Sequence, residues 1–93
     1  MNNSTKQYKQ LFNIIRDELN TLDPLGVVLD NPNLNDEYDL ETQEIILLLK
    51  EDLNYKTLAT KICDIFVKTT NMDFLPKTFE PCAKNILQKT KKL

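Results

Sequence analysis

Apolar residues recur at intervals of three and four along most of the chain, which predicts a series of amphipathic helices. The first such stripe consists of Tyr8, Leu11, Phe12, Ile15, Leu19 and Leu22. Either Ser4 or Thr5 is a plausible N-cap for this helix. The four predicted helices lie at about residues 5–22, 39–52, 55–70 and 78–91.

The second predicted helix differs from the others because five consecutive apolar residues, Ile45–Leu49, cover most of its circumference. We therefore expect it to be the central and most buried helix, with a surplus apolar face. A short polar turn at residues 50–54 then brings the third helix back antiparallel. The last helix tolerates Pro81 in its first turn, where no amide donor is needed.

These patterns predict one all-α domain over residues 1–93. We expect a compact bundle of four short helices with a long ordered loop between the first and second. A chain of 93 residues can bury one core and is too short for two independent ones.

The loop spans residues 23–39 and has the sequence DPLGVVLDNPNLNDEYD. Pro24 ends the first helix, since the residue before a proline is pushed away from helical angles, and Gly26 is the only glycine. We interpret Asp23, Pro24 and Gly26 as a structural stop and turn. Residues 27–29 are expected to be extended over the core, and Asn31, Pro32 and Asn33 to form a turn. Asp36 or Asp39 is expected to cap the next helix, with Glu41 and Glu44 placed favourably near its N-terminus.

Charge divides the chain into an acidic middle and a basic tail. No lysine or arginine lies between Arg16 and Lys50, whereas eight lysines follow Asn54. The lysine-bearing helices either neutralise the acidic segment by packing beside it, or leave an acidic face for a basic partner. The net charge of −2 argues against direct nucleic-acid binding, which usually needs a basic surface.

The residue types offer little catalytic chemistry. Without histidine, and with a single glycine, the sequence has no base to activate a nucleophile and no phosphate-binding loop, so we predict a protein that is not an enzyme and has no cofactor. Oxygen ligands for calcium or magnesium are present in the loop but do not follow EF-hand spacing: Asp30, Asn31, Asn33, Asn35, Asp36 and Asp39. Cys63 and Cys82 are expected to be buried thiols.

No apolar run approaches the length of a membrane span, and the polar first residues do not resemble a signal peptide. We therefore expect a cytoplasmic protein that does not contact a membrane.

Two loop motifs resemble those of a known family. The sequences DPLGV at residues 23–27 and DEYD at residues 36–39 are similar to the DPxG(V/L) and DEYD signatures of the YugE-like family of small bacterial helical domains. The similarity covers roughly residues 8–68; Leu22 stands where the family often has tryptophan, and the tail from Thr69 has no counterpart. The resemblance implies an all-α cytoplasmic protein without known enzymatic activity, and it implies no specific function.

The leading hypothesis is a small intracellular protein-binding module, an inhibitor or an immunity-type protein, that covers a basic partner protein. Its predicted partner-binding residues are Asp30, Asp36, Glu37, Tyr38, Asp39 and Glu41. Tyr38 is either an exposed anchor in that interface or a ring folded onto the core with its hydroxyl bonded locally. One alternative is a structural or homodimerising domain without a ligand for the acidic face. The other is a phage-coded nuclease inhibitor that imitates nucleic-acid charge.

Overall fold

The computed structural model of the chain describes residues 2–31, 33 and 35–93, and within these residues it is all-α with no strand. The elements in order are α1 (Asn2–Leu22), α2 (Val27–Asp30), α3 (Asp39–Leu48), α4 (Tyr55–Thr70), a 3₁₀ helix (Pro76–Phe79) and α5 (Glu80–Thr90). The predicted fold class is confirmed at this level. None of the helices described is both long enough and apolar enough to cross a membrane.

The first helix supplies one wall of the core. Ile15 and Leu19 are completely buried, as the apolar stripe predicts. The helix begins at Asn2, so the prediction that Ser4 or Thr5 caps it is wrong, because both lie inside the helix. At its other end the amide of Asp23 donates to the carbonyl of Leu19 at 2.7 Å, and Asp23 itself takes a left-handed φ of 48°.

The central element is α4, whose predicted bounds are confirmed. Its N-cap Asn54 accepts a hydrogen bond from the amide of Thr57 at 2.8 Å, and Asn71 ends it with a left-handed φ of 57°. Leu58, Ala59, Ile62 and Phe66 are completely buried. This helix packs against α3, α5 and the 3₁₀ helix, so it occupies the middle of the fold.

The prediction that the second predicted helix, now α3, is the central one is wrong, since α4 has that place, although four of the ten residues of α3 are buried. Its side chains Leu40 and Leu47 are 70% and 61% exposed. The helix begins at Asp39 as predicted but ends at Leu48, about one turn early, with Leu49 as its C-cap. The last predicted helix consists of two elements, the 3₁₀ helix and α5, and Pro81 lies in the first turn of α5 as predicted.

The connection between α1 and α3, residues 23–38, contains a helical turn that the sequence did not predict. Residues 27–30 form α2, so the expected extended segment at 27–29 is wrong. Gly26 precedes this turn with a φ of 73°, a conformation that glycine adopts without a Cβ penalty. The turn predicted at residues 31–33 includes Pro32, which lies outside the described residues.

Four aromatic rings form the centre of the core. The ring of Phe66 lies 5.2 Å from that of Phe79, 5.7 Å from Tyr38 and 6.0 Å from Phe74, measured between centroids. Phe74 and Phe79 meet edge to face at 5.7 Å. Such contacts add roughly 0.5–1.5 kcal/mol per pair beyond the area that they bury. One ring comes from the connection, so the core holds that segment in place.

Candidate functional site

The carboxylate of Asp23 organises the start of the connection. Its Oδ1 accepts hydrogen bonds from the amide of Val28 at 3.1 Å and from the hydroxyl of Tyr38 at 2.6 Å, and its Oδ2 accepts one from the amide of Leu29 at 2.9 Å. The two amides belong to α2, which has no side-chain cap at Gly26. Asp23 thus binds the start of this turn from three residues before its N-cap, which explains why residues 27–30 are helical.

The same contacts set the ionisation of both side chains. Partial burial opposes the charge on Asp23, but the hydrogen bonds from Tyr38 and from the α2 amides outweigh it and lower the pKa of the carboxyl group. Burial and the bond to Asp23 raise the pKa of the Tyr38 phenol well above its usual value. The phenol therefore stays protonated and keeps donating to a charged acceptor.

Tyr38 lies in the core and is not an exposed anchor. Its side chain is 1% exposed, and its hydroxyl also accepts a hydrogen bond from the amide of Leu25 at 3.1 Å. Of the two alternatives for this residue, the buried ring with a locally bonded hydroxyl is confirmed. The expectation that Tyr38 lies in a partner interface fails because the ring is buried and packs at a tilt against Phe66.

Asp39 is engaged within the fold. Arg16 donates to both of its carboxylate oxygens, from Nε to Oδ1 at 3.0 Å and from Nη2 to Oδ2 at 2.6 Å, and this paired geometry joins α1 to the start of α3. The guanidinium also lies 5.0 Å from the centroid of the Phe12 ring. The expected cap by Asp36 or Asp39 is wrong, because the N-cap position of α3 is Tyr38 and no side chain bonds there.

Glu41 is also unsuited to the predicted partner surface, since only 6% of it is exposed. Three predicted site residues do remain on the surface, namely Asp30, Asp36 and Glu37. The charges of Asp36 and Asp17 help to raise the pKa of Arg16, after the hydrogen bond and charge of Asp39. Asp36 and Asp17 therefore lie on the same side of the molecule.

Part of the acidic middle is neutralised by the basic tail. Lys89 and Asn85 on α5 both donate to the carboxylate of Glu18 on α1, and Lys68 on α4 donates to Glu44 on α3 at 2.9 Å. The first alternative for the charge division, neutralisation by the lysine-bearing helices, thus holds in part, and the second, an acidic face for a basic partner, stays a prediction. Glu18 and Asp39 are paired at partly buried positions and Glu44 is paired at the surface, while the acidic residues at the end of the connection are exposed.

The surplus apolar face expected on the second predicted helix lies beside these exposed carboxylates. Leu40 and Leu47 are seven residues apart, so they project from the same side of α3, with Gln43 and Glu44 between them. We call these four residues the outer face of α3. Asp36 and Glu37, which we call the acidic pair, precede its N-terminal end. The sequence did not predict the position of this face, because the continuous apolar run Ile45–Leu49 has no periodicity that shows which leucines point to solvent.

The remaining candidate chemistry is buried or dispersed. Cys63 and Cys82 are each 3% exposed, and burial together with the charge of Glu18 raises the pKa of Cys82 to about 12. Such thiols are poor nucleophiles at neutral pH. Among the described residues, no three cysteine or acidic side chains are close enough together to hold a metal ion.

Comparison of the chain with protein-family models, curated proteins and solved structures finds no match. The resemblance to the YugE-like family therefore stays a prediction.

Proposed function

We propose that this protein is a protein-binding module whose contact surface is the outer face of α3 together with the acidic pair. The observation that carries this proposal is the exposure of Leu40 and Leu47, at 70% and 61%, on one side of a helix. In this proposal the four longer helices form a bundle that fixes the connection and presents the acidic pair at the end of that face.

The chemistry of this surface defines the partner. Two leucines supply apolar area at the centre, and Asp36 and Glu37 supply negative charge at one end. A partner with an apolar patch edged by lysine or arginine complements both features, because opposite charges steer association and buried apolar area stabilises the complex. Exposed leucines favour a protein surface over imitation of nucleic-acid charge. An inhibitor or immunity-type role fits such a module.

The structure decides which substitutions test the proposal. Asp39 must be left intact, since its loss would break the ion pair with Arg16 and confuse binding with stability. Two double variants are suitable: Leu40→Ser with Leu47→Ser, and Asp36→Asn with Glu37→Gln. Matched controls are Leu75→Ser, a leucine that is 72% exposed outside this surface, and Asp64→Asn with Asp73→Asn, both exposed and distant in sequence.

The experiment is affinity capture from cells of the source organism, followed by mass spectrometry and by titration of the captured protein after its purification. We expect one basic protein that binds the wild type and both controls with equal Kd. Its Kd should rise at least tenfold for each of the two test variants, while their circular dichroism stays unchanged. Equal binding by wild type and the leucine variant contradicts the proposal.

A second candidate function is homodimerisation through the same face. Antiparallel pairing of two α3 helices would set Leu40 of one copy against Leu47 of the other and bring the acidic pair near Lys50 of the second copy. Multi-angle light scattering distinguishes the two candidates. A dimer that becomes a monomer on Leu40→Ser with Leu47→Ser supports this candidate, whereas a wild-type monomer at all concentrations excludes it.

A further inference from the structure

A groove lies at the other end of α3, beyond its C-terminus and away from the acidic pair. Its walls come from the first half of α1 at Gln7 and Leu11, from the turn at residues 49–55, and from the C-terminal half of α5. Its volume is about 640 Å³, within the range of roughly 300–1,000 Å³ that is usual for binding sites.

The groove has an apolar floor. Four partly buried leucines from three different segments line it, each packed against the core: Leu11, Leu49, Leu53 and Leu87. Because these side chains already rest on buried residues, their free sides offer a surface that is fixed in shape. An occupant with apolar side chains would remove this surface from water without ordering new parts of the protein.

Charge is distributed unevenly around the floor. Lys84 on α5 and Lys91, the C-cap residue that follows α5, border it. Lys91 keeps helical backbone angles, so these two lysines, seven residues apart, share one side at an axial spacing of about 10.5 Å. The ammonium of Lys84 lies 5.4 Å from the centroid of the Tyr55 ring, a contact that holds it at the edge of the groove. Lys50, Glu51 and Asp52 carry mixed charge at the end formed by the turn.

We propose that this groove binds an acidic, leucine-bearing segment of another protein in an extended conformation. Carboxylates of the segment pair with Lys84 and Lys91, and its apolar side chains cover the leucine floor. In a polyproline II segment, residues three apart lie on one side at a spacing of about 9.3 Å, which is about 1 Å shorter than the axial spacing of the two lysines and within reach of their flexible side chains. The segment places its carboxylates along α5, away from Glu51 and Asp52. This surface is separate from the one in the proposed function, so either can fail without the other.

The test uses three fluorescein-labelled peptides and fluorescence anisotropy with the full chain. The probe has glutamate three residues apart with leucine and proline between, Glu-Leu-Pro-Glu-Leu-Pro. One control peptide replaces glutamate with lysine, and the other replaces leucine with serine. We expect saturable binding of the probe, weaker at high salt because the charged contacts are screened, and at least tenfold weaker binding of both control peptides.

Protein variants then locate the site. Lys84→Glu with Lys91→Glu should raise the Kd of the probe at least tenfold, and Lys84→Gln with Lys91→Gln serves if the first variant does not fold. The matched control is Lys9→Glu with Lys77→Glu, which changes net charge equally at two exposed lysines outside the groove. We expect this control to bind with no more than a twofold change in Kd.

Three results would overturn the proposal. The first is no saturable binding of the probe at millimolar protein, and the second is an equal loss of affinity in the Lys9 and Lys77 control. The third is self-association in light scattering that the Lys84 and Lys91 variant abolishes, which would make a second copy of the chain the occupant.

Discussion

Two groups of carboxylates lie between the end of α1 and the first residue of α3, and they differ in what surrounds them. Asp23 and Asp39 face inward, where Tyr38, backbone amides and Arg16 satisfy them. Asp36 and Glu37, only a few residues away, are exposed. The first group holds the connection to the helices, whereas the side chains of the second make no hydrogen bond or ion pair within the described residues. Position relative to the core therefore decides whether an acidic residue in this segment is bonded within the fold or stays exposed to solvent.

The largest expected difference between the two groups comes from removing Tyr38, the buried ring whose hydroxyl donates to Asp23. Tyr38→Ala deletes a buried ring from the aromatic core and should lower the free energy of unfolding by about 3–5 kcal/mol, as for other large-to-small changes in a core. Glu37→Ala, one position earlier, should change it by less than about 0.5 kcal/mol. Urea unfolding followed by circular dichroism measures both. Equal effects would show that the connection is not anchored through Tyr38.

Asp23→Asn tests how much the negative charge of Asp23 contributes to stability. Hydrogen bonds to a charged group contribute about 1.5–3 kcal/mol each, and the variant should lose a comparable amount at pH 7. Because folding lowers the pKa of Asp23, its contribution is complete above the unfolded pKa of about 3.9 and is lost as pH falls through the folded pKa. The difference in stability between wild type and variant should therefore be constant from pH 7 to about 5 and shrink in more acidic solution. A difference that grows on acidification contradicts this assignment.

The ion pair between α1 and α3 should have a smaller effect. Arg16 and Asp39 are about one quarter exposed, at 28% and 26% of their side chains, so solvent screens part of their attraction. A double-mutant cycle with Arg16→Met and Asp39→Asn should give a coupling of about 0.5–1 kcal/mol that decreases in 1 M salt. The absence of coupling would mean that the two side chains contribute independently.

Gly26 tests the backbone of the connection without touching either group of carboxylates. A Cβ at this position meets no atom within 4 Å, so the effect of Gly26→Ala comes from the left-handed φ of 73° alone. We expect a loss of about 1–2 kcal/mol, and a smaller one for Gly26→Asn, because asparagine tolerates this conformation better. Thermal unfolding of the three proteins side by side checks the order. Equal melting temperatures would show that the turn can adjust.

The smallest expected effect belongs to the acidic pair. Asp36→Asn with Glu37→Gln should change the free energy of unfolding by no more than about 0.5 kcal/mol, since neither side chain is buried. The same protein is the one that should lose partner binding. A large loss of stability would show that Asp36 and Glu37 stabilise the fold as Asp23 and Asp39 do, and the two groups of carboxylates would then not differ.

Elements of the fold that depend on residues close in sequence could be predicted, and those that depend on residues far apart in sequence could not. The bounds of α4 follow from its local pattern and from Asn54 and Asn71, which cap its ends within a few residues. A single turn such as α2 has no periodicity to detect, and it depends on Asp23, which precedes it and takes an unusual φ. The sequence left Tyr38 open because the deciding contact, with Phe66, comes from 28 residues further along the chain.

The candidate surfaces were predictable to different degrees. The acidic segment was evident from composition, but which of its members are exposed depended on partners such as Arg16 in another helix. The groove could not be expected from the sequence, because Leu11, Leu53 and Leu87 become neighbours only when three distant segments pack together.

The aromatic cluster also sets an order of events during synthesis. Tyr38 lies near the middle of the chain, yet the ring of Phe66 that it contacts, and the rings of Phe74 and Phe79 that pack on Phe66, belong to residues 66–79. Likewise, Glu18 of the first helix accepts its hydrogen bonds from Asn85 and Lys89 of the last. The N-terminal helices therefore cannot complete their packing until the residues up to Lys89 have left the ribosome.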